Sequence, residues 1–402
     1  MRLSGCSLMI PAEWRRCDRG GRLRSLIVTD SMIWNAETEY ALAVASAEAA
    51  MGLDVTLAAP DGSAALAKAP TCVTLDVLPG ASLARSPADL LAACRWVSAY
   101  TLDAPDTIVH SSRSSAHLAV ALARAGSAKL VHLRGGAAKP SAGALNRYLY
   151  RRRTDAVIAS SRRVESWVRE RLGVPAGRIF RMYLPIDLDR FTFGVEATGA
   201  DAQRVRHEFG IASDAPLVVN VARLAPIKGH EVLLDAWSHI AYRHPSALLL
   251  LVGEPWSGQP DGLRARASDL GVSASVRFTG RREDVPTLLA AADVCVCSSV
   301  GSEENSRAVS EYMAAGRAVV ATRVGVIPEL VVEGETGLLV APSDARALAD
   351  SLAGLLDDPA RATAMGASGV ERARELLSRE SFAAGLAGVL SAVRAVNEGA
   401  PS

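Results

Sequence analysis

The chain has 402 residues, about half of them apolar (49%), and a formal net charge of +1. That length is too great for one hydrophobic core and suits two domains, and the apolar share excludes a disordered chain. The near-zero charge excludes bulk attraction to nucleic acid, so any electrostatic recognition has to come from local patches.

Residues 1–22 are basic, and their short apolar run Leu8–Ile10 is broken by Pro11; they read as a loose extension and not as a secretory segment. Short apolar runs then recur at Leu26–Val28, Val55–Ala58, Cys72–Leu75, Ile108–Val109, Leu130–Leu133 and Ala156–Ala159, with helical patterns such as Ala36–Met51 between them. Strands alternating with helices predict a parallel sheet covered on both faces. The rhythm pauses at Leu184-Pro185-Ile186-Asp187-Leu188-Asp189-Arg190-Phe191 and the polar stretch 194–202, which places a domain boundary after residue 193. It restarts with Leu217–Ala222, Leu248–Val252, Val276–Phe278, Val294–Cys297, Ala318–Ala321 and Gly337–Val340, a second parallel sheet. Three helical patterns close the chain, Ala345–Leu356, Arg361–Leu377 and Ser381–Val396, and the last is expected to return to the first domain. The expected class is α/β, with two Rossmann-like domains (23–193 and 194–380) facing a central cleft and a helix from 381 crossing back. No run reaches the ~18 apolar residues of a membrane span. The six cysteines show no paired spacing except Cys295 and Cys297 on a buried strand, where apolar filling is the simpler role, and a reducing, cytoplasmic setting is expected.

Lysine occurs only at 68, 129, 139 and 228. Lys228 lies in Arg223-Leu224-Ala225-Pro226-Ile227-Lys228-Gly229-His230, after a strand and before a helix, where backbone dipoles favour an anion. An arginine fork and a lysine point charge at that place suit a diphosphate. The second segment, Ser298-Ser299-Val300-Gly301-Ser302-Glu303-Glu304-Asn305-Ser306-Arg307-Ala308-Val309-Ser310-Glu311, follows the strand Val294–Cys297. Ser306 is the expected cap of a helix from Arg307, which leaves Glu303 in the loop and Glu311 a turn into the helix. Carboxylates accept hydrogen bonds from vicinal hydroxyls and suit a sugar or a ribose.

Together these segments resemble the family 4 retaining glycosyltransferases of the GT-B fold, in which two glutamates stand eight positions apart, as Glu303 and Glu311 do. The likeness continues through Arg317–Leu330 and Glu333–Val340. It implies a nucleoside-diphosphate sugar as donor, with Glu311 on the ribose, Glu303 on the donor sugar, Arg223 and Lys228 on the diphosphate, and Asn305, Ser306 and Arg307 lining the same site. It also implies retention of anomeric configuration, no metal and no cofactor. This chain departs from the pattern at Glu304-Asn305-Ser306, where glycines flank an aromatic residue in many members, and at Ile33-Trp34-Asn35, where a Gly-Gly loop is usual. In the first domain His132 and Arg134, in His132-Leu133-Arg134-Gly135, are candidates to meet donor or acceptor, with a core histidine as the competing reading of His132.

The acceptor expected from the resemblance is a sugar or a lipid-linked hydroxyl compound, in polysaccharide or glycolipid synthesis. Asn146–Arg153 with Lys139, Arg162, Arg163, Trp167, Arg169 and Arg171 offers either a face for an anionic membrane surface or a solvated helix face. Two other readings stay open: an epimerase or phosphorylase on the same fold, and a binding protein without catalysis. A nicotinamide enzyme is disfavoured, because no GxGxxG follows the first strand of either domain.

Overall fold

The computed structural model describes residues 23–80, 83, 86–136, 138–191, 199–255, 259–301 and 303–395. The basic extension 1–22, with Cys6 and Cys17, lies outside them, as do residues 192–198 of the polar connection. The chain forms two units: one runs to Pro185 and resumes at Arg379, and the other is Ile186–Ser378. The division falls ahead of the polar stretch because the connecting segment packs on the second unit. There Ile186 N–H donates to Leu377 O at 2.9 Å and Arg190 Nη2 to Glu283 O at 3.2 Å.

The first unit contains β1 (Arg24–Thr29), α1 (Ala36–Ala50), β2 (Asp54–Ala59), α2 (Ala64–Ala67), β3 (Thr74–Val77), α3 (Pro87–Asp103), β4 (Ile108–Ser112), α4 (Ser114–Ala123), β5 (Lys129–Arg134), α5 (Ala144–Tyr148), β6 (Ala156–Ala159), α6 (Arg162–Leu172) and β7 (Ile179–Arg181). A π-helical turn, Leu149–Arg153, continues α5. All seven strands are parallel, in the order β3-β2-β1-β4-β5-β6-β7. β3 lies two residues later than the sequence pattern suggests, and β7 is too short to show one.

The second unit contains α7 (Gly199–Glu208), β8 (Leu217–Val221), α8 (His230–Arg243), β9 (Leu248–Val252), α9 (Gln259–Asp269), β10 (Val276–Gly280), α10 (Val285–Ala291), β11 (Val294–Cys297), α11 (Arg307–Ala314), β12 (Ala318–Thr322), α12 (Ile327–Leu330), β13 (Gly337–Val340), α13 (Ala345–Asp357) and α14 (Pro359–Leu377). Its six strands are parallel, ordered β10-β9-β8-β11-β12-β13. The last helix, α15 (Arg379–Ala395), belongs to the first unit. Its Phe382, Leu386, Val389 and Leu390 join the core beneath α1, with the Phe382 and Tyr40 rings 6.0 Å apart edge to face.

In each sheet the chain builds outward in one direction and then returns to the other side of its first strand. The reversal falls between β1 and β4 in the first unit and between β8 and β11 in the second. At such a switch point the two following loops diverge and leave a crevice at the strands' carboxyl ends, where ligands of open α/β sheets bind.

Candidate functional site

The segments singled out in the sequence leave β8 and β11, the two strands that flank the second unit's switch point. After β8, a short 3-10 turn, Pro226–Lys228, ends on Gly229 at φ 67°, which starts α8. A Cβ on Gly229 would stand 2.1 Å from Ser298 O, so only glycine lets this turn close onto the chain leaving β11. Ser298 Oγ donates to Lys228 O at 3.0 Å, and Val300 N–H donates to Ile227 O at 2.9 Å. These bonds bring Lys228 to Glu303: the ammonium is ion-paired with Glu303 Oε1, which also accepts from Ser299 Oγ at 2.6 Å. Glu303 is only 6% exposed while the Lys228 side chain is 22% exposed, so the carboxylate is largely out of water and depends on this counter-charge. Ser299, two residues beyond β11, carries no motif that singles it out in the sequence.

α11 is fixed by Tyr312, whose buried hydroxyl accepts from Val221 N–H at 2.6 Å at the end of β8. Four residues from its head, Glu311 accepts from Arg307 Nε at 2.8 Å, and burial pushes its carboxyl above the usual range against the pull of Arg307 and Arg190. Glu303 is thus in the loop and Glu311 inside the helix, both buried and both beside a cation. Arg223 is exposed just beyond β8, and Asn305 is half-buried in the loop between the glutamates.

Ser306 corrects an expectation. It precedes α11, but its backbone is left-handed (φ 33°, ψ 58°), and its hydroxyl makes no capping bond and no other hydrogen bond although the residue is 4% exposed. An L-residue there costs about 1–2 kcal/mol, which gives the physical reason for glycine at this place in the family pattern. Ser306→Gly is expected to raise unfolding stability by about 1 kcal/mol, by relieving the backbone and removing a buried unpaired hydroxyl. Chemical denaturation would measure it, and a loss of stability would contradict the strain.

In the first unit the structure separates His132 from Arg134. His132 is fully buried, its ring 4.2 Å from that of His117 and 5.4 Å from that of Tyr150, with Nδ1 3.0 Å from Ser111 Oγ. His132 thus lies in the core of the first unit, with its Nε2 without a hydrogen-bond partner among the described residues. Arg134, at the end of β5, is 8% exposed and donates to Ser114 Oγ at 2.8 Å and Ala138 O at 2.5 Å. The arginine-rich face is in part structural as well: Arg153 binds the carbonyls of Ala121 and Arg124, Arg171 that of Pro140, and Arg147 that of Arg171.

Burial keeps three imidazoles neutral. It pushes His117 down to about 3, with Arg134 adding to the effect, His230 down to about 4, and His132 well below the ordinary value. Unfolding frees each to take up a proton below about pH 6.5, so the stability they support is full above that pH and is lost as pH falls toward 4 and then 3. The thermal midpoint is expected to drop over pH 6.5 to 4. His230→Gln should flatten the slope of stability against pH by up to about 1.4 kcal/mol per pH unit, and an unchanged slope would contradict its neutral burial.

Two family profiles match consecutive parts of the chain: Glycosyltransferase Family 4 over residues 38–190 and Glycosyl transferases group 1 over residues 215–358. The chain thus carries two glycosyltransferase family domains, one in each half. Among its curated relatives, the D-inositol 3-phosphate glycosyltransferase of Corynebacterium efficiens is 38% identical over 205 residues, 47% of this chain and 48% of that protein. The GDP-mannose-dependent alpha-(1-6)-phosphatidylinositol monomannoside mannosyltransferase of Mycolicibacterium smegmatis is 36% identical over 220 residues, 52% of this chain and 55% of that protein. The match therefore spans about half the length of these relatives. A glycosyltransferase of Rickettsia africae superposes with TM-score 0.79 at 18% identity, covering 94% of this chain and 99% of that one. HepE of Anabaena, solved with UDP-glucose, gives 0.75 at 21% identity, covering 92% and 100%. These likenesses show the GT-B fold.

Proposed function

We propose that the chain is a glycosyltransferase that moves a sugar from a nucleoside-diphosphate sugar to a hydroxyl acceptor with retention of configuration, without metal or cofactor. The observation that carries this reading is the part-buried Lys228–Glu303 pair at the switch point of the second sheet, beside the head of α11. Lys228 and Arg223 bind the diphosphate, Glu311 takes the ribose hydroxyls and Glu303 a hydroxyl of the donor sugar. Asn305, Ser306 and Arg307 form the loop over the phosphates. The donors named for relatives and neighbours, GDP-mannose and UDP-glucose, support a nucleoside-diphosphate sugar.

In the reaction the bond from the anomeric carbon to the diphosphate oxygen breaks, the acceptor oxygen bonds to that carbon on the same face, and its proton passes to the departing diphosphate. Lys228 and Arg223 stabilise the charge that develops on the leaving group. Product formation belongs to glycolipid or polysaccharide synthesis at the cytoplasmic face of the cell membrane. Proton couplings of the purified product test retention: the donor's anomeric configuration is expected, and an inverted product would overturn it. An unchanged rate in excess chelator is expected, and abolished activity would overturn metal independence.

A further inference from the structure

Two arginines stand at the carboxyl ends of neighbouring strands of the first sheet, and they differ in their counter-charges. Arg113, directly after β4, is part-exposed and sets its guanidinium 3.3 Å from Glu37 Oε2 and 3.7 Å from Asp30 Oδ1. Arg134, the last residue of β5, is only 8% exposed and makes no ion pair among the described residues. Its guanidinium is held by neutral oxygens, Ser114 Oγ and Ala138 O, and its Nε–H has no acceptor among the described residues.

The titratable groups around Arg134 do not supply the missing charge. Burial keeps His117 and His132 neutral, with the charge of Arg134 adding to the effect, and it raises the Tyr150 hydroxyl, with Arg134 opposing. Burial also raises the Glu37 carboxyl, and Arg113 opposes that more than Arg134 does. An arginine keeps its charge in a folded protein, so Arg134 is a largely buried cation without an anion. Such a charge is costly to leave uncompensated, and an unused buried donor calls for a partner. A second unused group lies beside it. Ser160, directly after β6, is 2% exposed; its N–H donates to Arg134 O at 3.2 Å, and its Oγ has no hydrogen-bond partner among the described residues. A planar guanidinium next to a hydroxyl is a donor set that matches phosphate and carboxylate oxygens.

We infer that Arg134 and Ser160 form an oxyanion site that takes the phosphate or carboxylate group of a small charged sugar. The site lies within the first unit, whereas Lys228 and Arg223 belong to the second, and it does not depend on the donor reading. Filling it provides the counter-charge that Arg134 lacks, so a charged sugar is selected over its neutral analogue.

Calorimetric titration of the full chain with glucose 6-phosphate, glucuronate and glucose tests this. At least one of the two charged sugars is expected to bind more tightly than glucose by about tenfold or more, and the two arms show which oxyanion is taken. Arg134→Gln, which keeps hydrogen-bond donors without the charge, is expected to remove that preference, and Ser160→Ala to weaken it. Arg134→Lys keeps the charge but not the planar fork, and serves if the glutamine variant does not fold; it is expected to show a reduced preference. Lys228→Ala is expected to leave the preference unchanged. No preference for either charged sugar, one that survives Arg134→Gln or is undiminished in Arg134→Lys, or one that Lys228→Ala abolishes, overturns the inference.

Discussion

Replacing Lys228 by alanine is expected to lower kcat/KM for sugar transfer about a hundredfold or more, the order seen when one preorganised group that stabilises a developing negative charge is removed. The substitution has a second consequence. Glu303 is buried and is held by Lys228 and Ser299, so without the ammonium its carboxylate keeps only the serine hydroxyl among these two partners. Stability should therefore fall as well, because a buried charge has lost its counter-charge. Lys228→Ala combined with Glu303→Gln removes that charge. The double variant is expected to recover much of the stability but none of the affinity for nucleoside diphosphate. If the double variant regained affinity, Lys228 would act only by holding Glu303; steady-state kinetics, denaturation and nucleotide titration together decide it.

Gly325→Ala is expected to damage the site through the backbone. Gly325 has φ 57°, and a Cβ there would stand 2.2 Å from Glu303 O and 2.4 Å from Glu303 C, both backbone atoms. Val326 N–H donates to the same carbonyl at 2.8 Å, so the loop bearing Glu303 has nowhere to retreat without breaking that bond. A loss of about 3 kcal/mol or more is expected, together with at least a tenfold loss of donor affinity. Gly334→Ala is the control: its φ is 78°, but nothing lies within 4 Å of the added Cβ, so only the conformational cost of about 1 kcal/mol applies. Equal effects of the two substitutions on nucleotide binding would contradict the close approach at Glu303.

Much of this arrangement is legible in the sequence, for identifiable reasons. Strands such as Leu248–Val252 and Val294–Cys297 are buried on both faces, so they stand out as unbroken apolar runs. β3 is an exposed edge strand whose residues alternate without a buried face, and the apolar pattern slides by two residues there. Glu303 and Glu311 could be placed in loop and helix because the strand before them and the helical pattern after them bracket the segment. The Lys228–Glu303 pair could not be derived, since the partners are 75 positions apart and meet only through the β8–β11 neighbourhood. Nor could the fate of His132: its strand face was readable, but the His117 and Tyr150 rings that enclose it come from α4 and the π-helical turn. Arg113 and Asp30 carried no motif, and only the sheet order brings them together at the crevice.

On the proposed reading, the second unit binds a nucleoside diphosphate through Glu311, Lys228 and Arg223. Calorimetric titration of the full chain with GDP and with UDP tests it most directly. Saturable binding of at least one is predicted, weakened tenfold or more by Glu311→Ala and by Lys228→Ala. Binding of neither nucleotide by the folded wild-type chain, or binding that both substitutions leave unchanged, would contradict it.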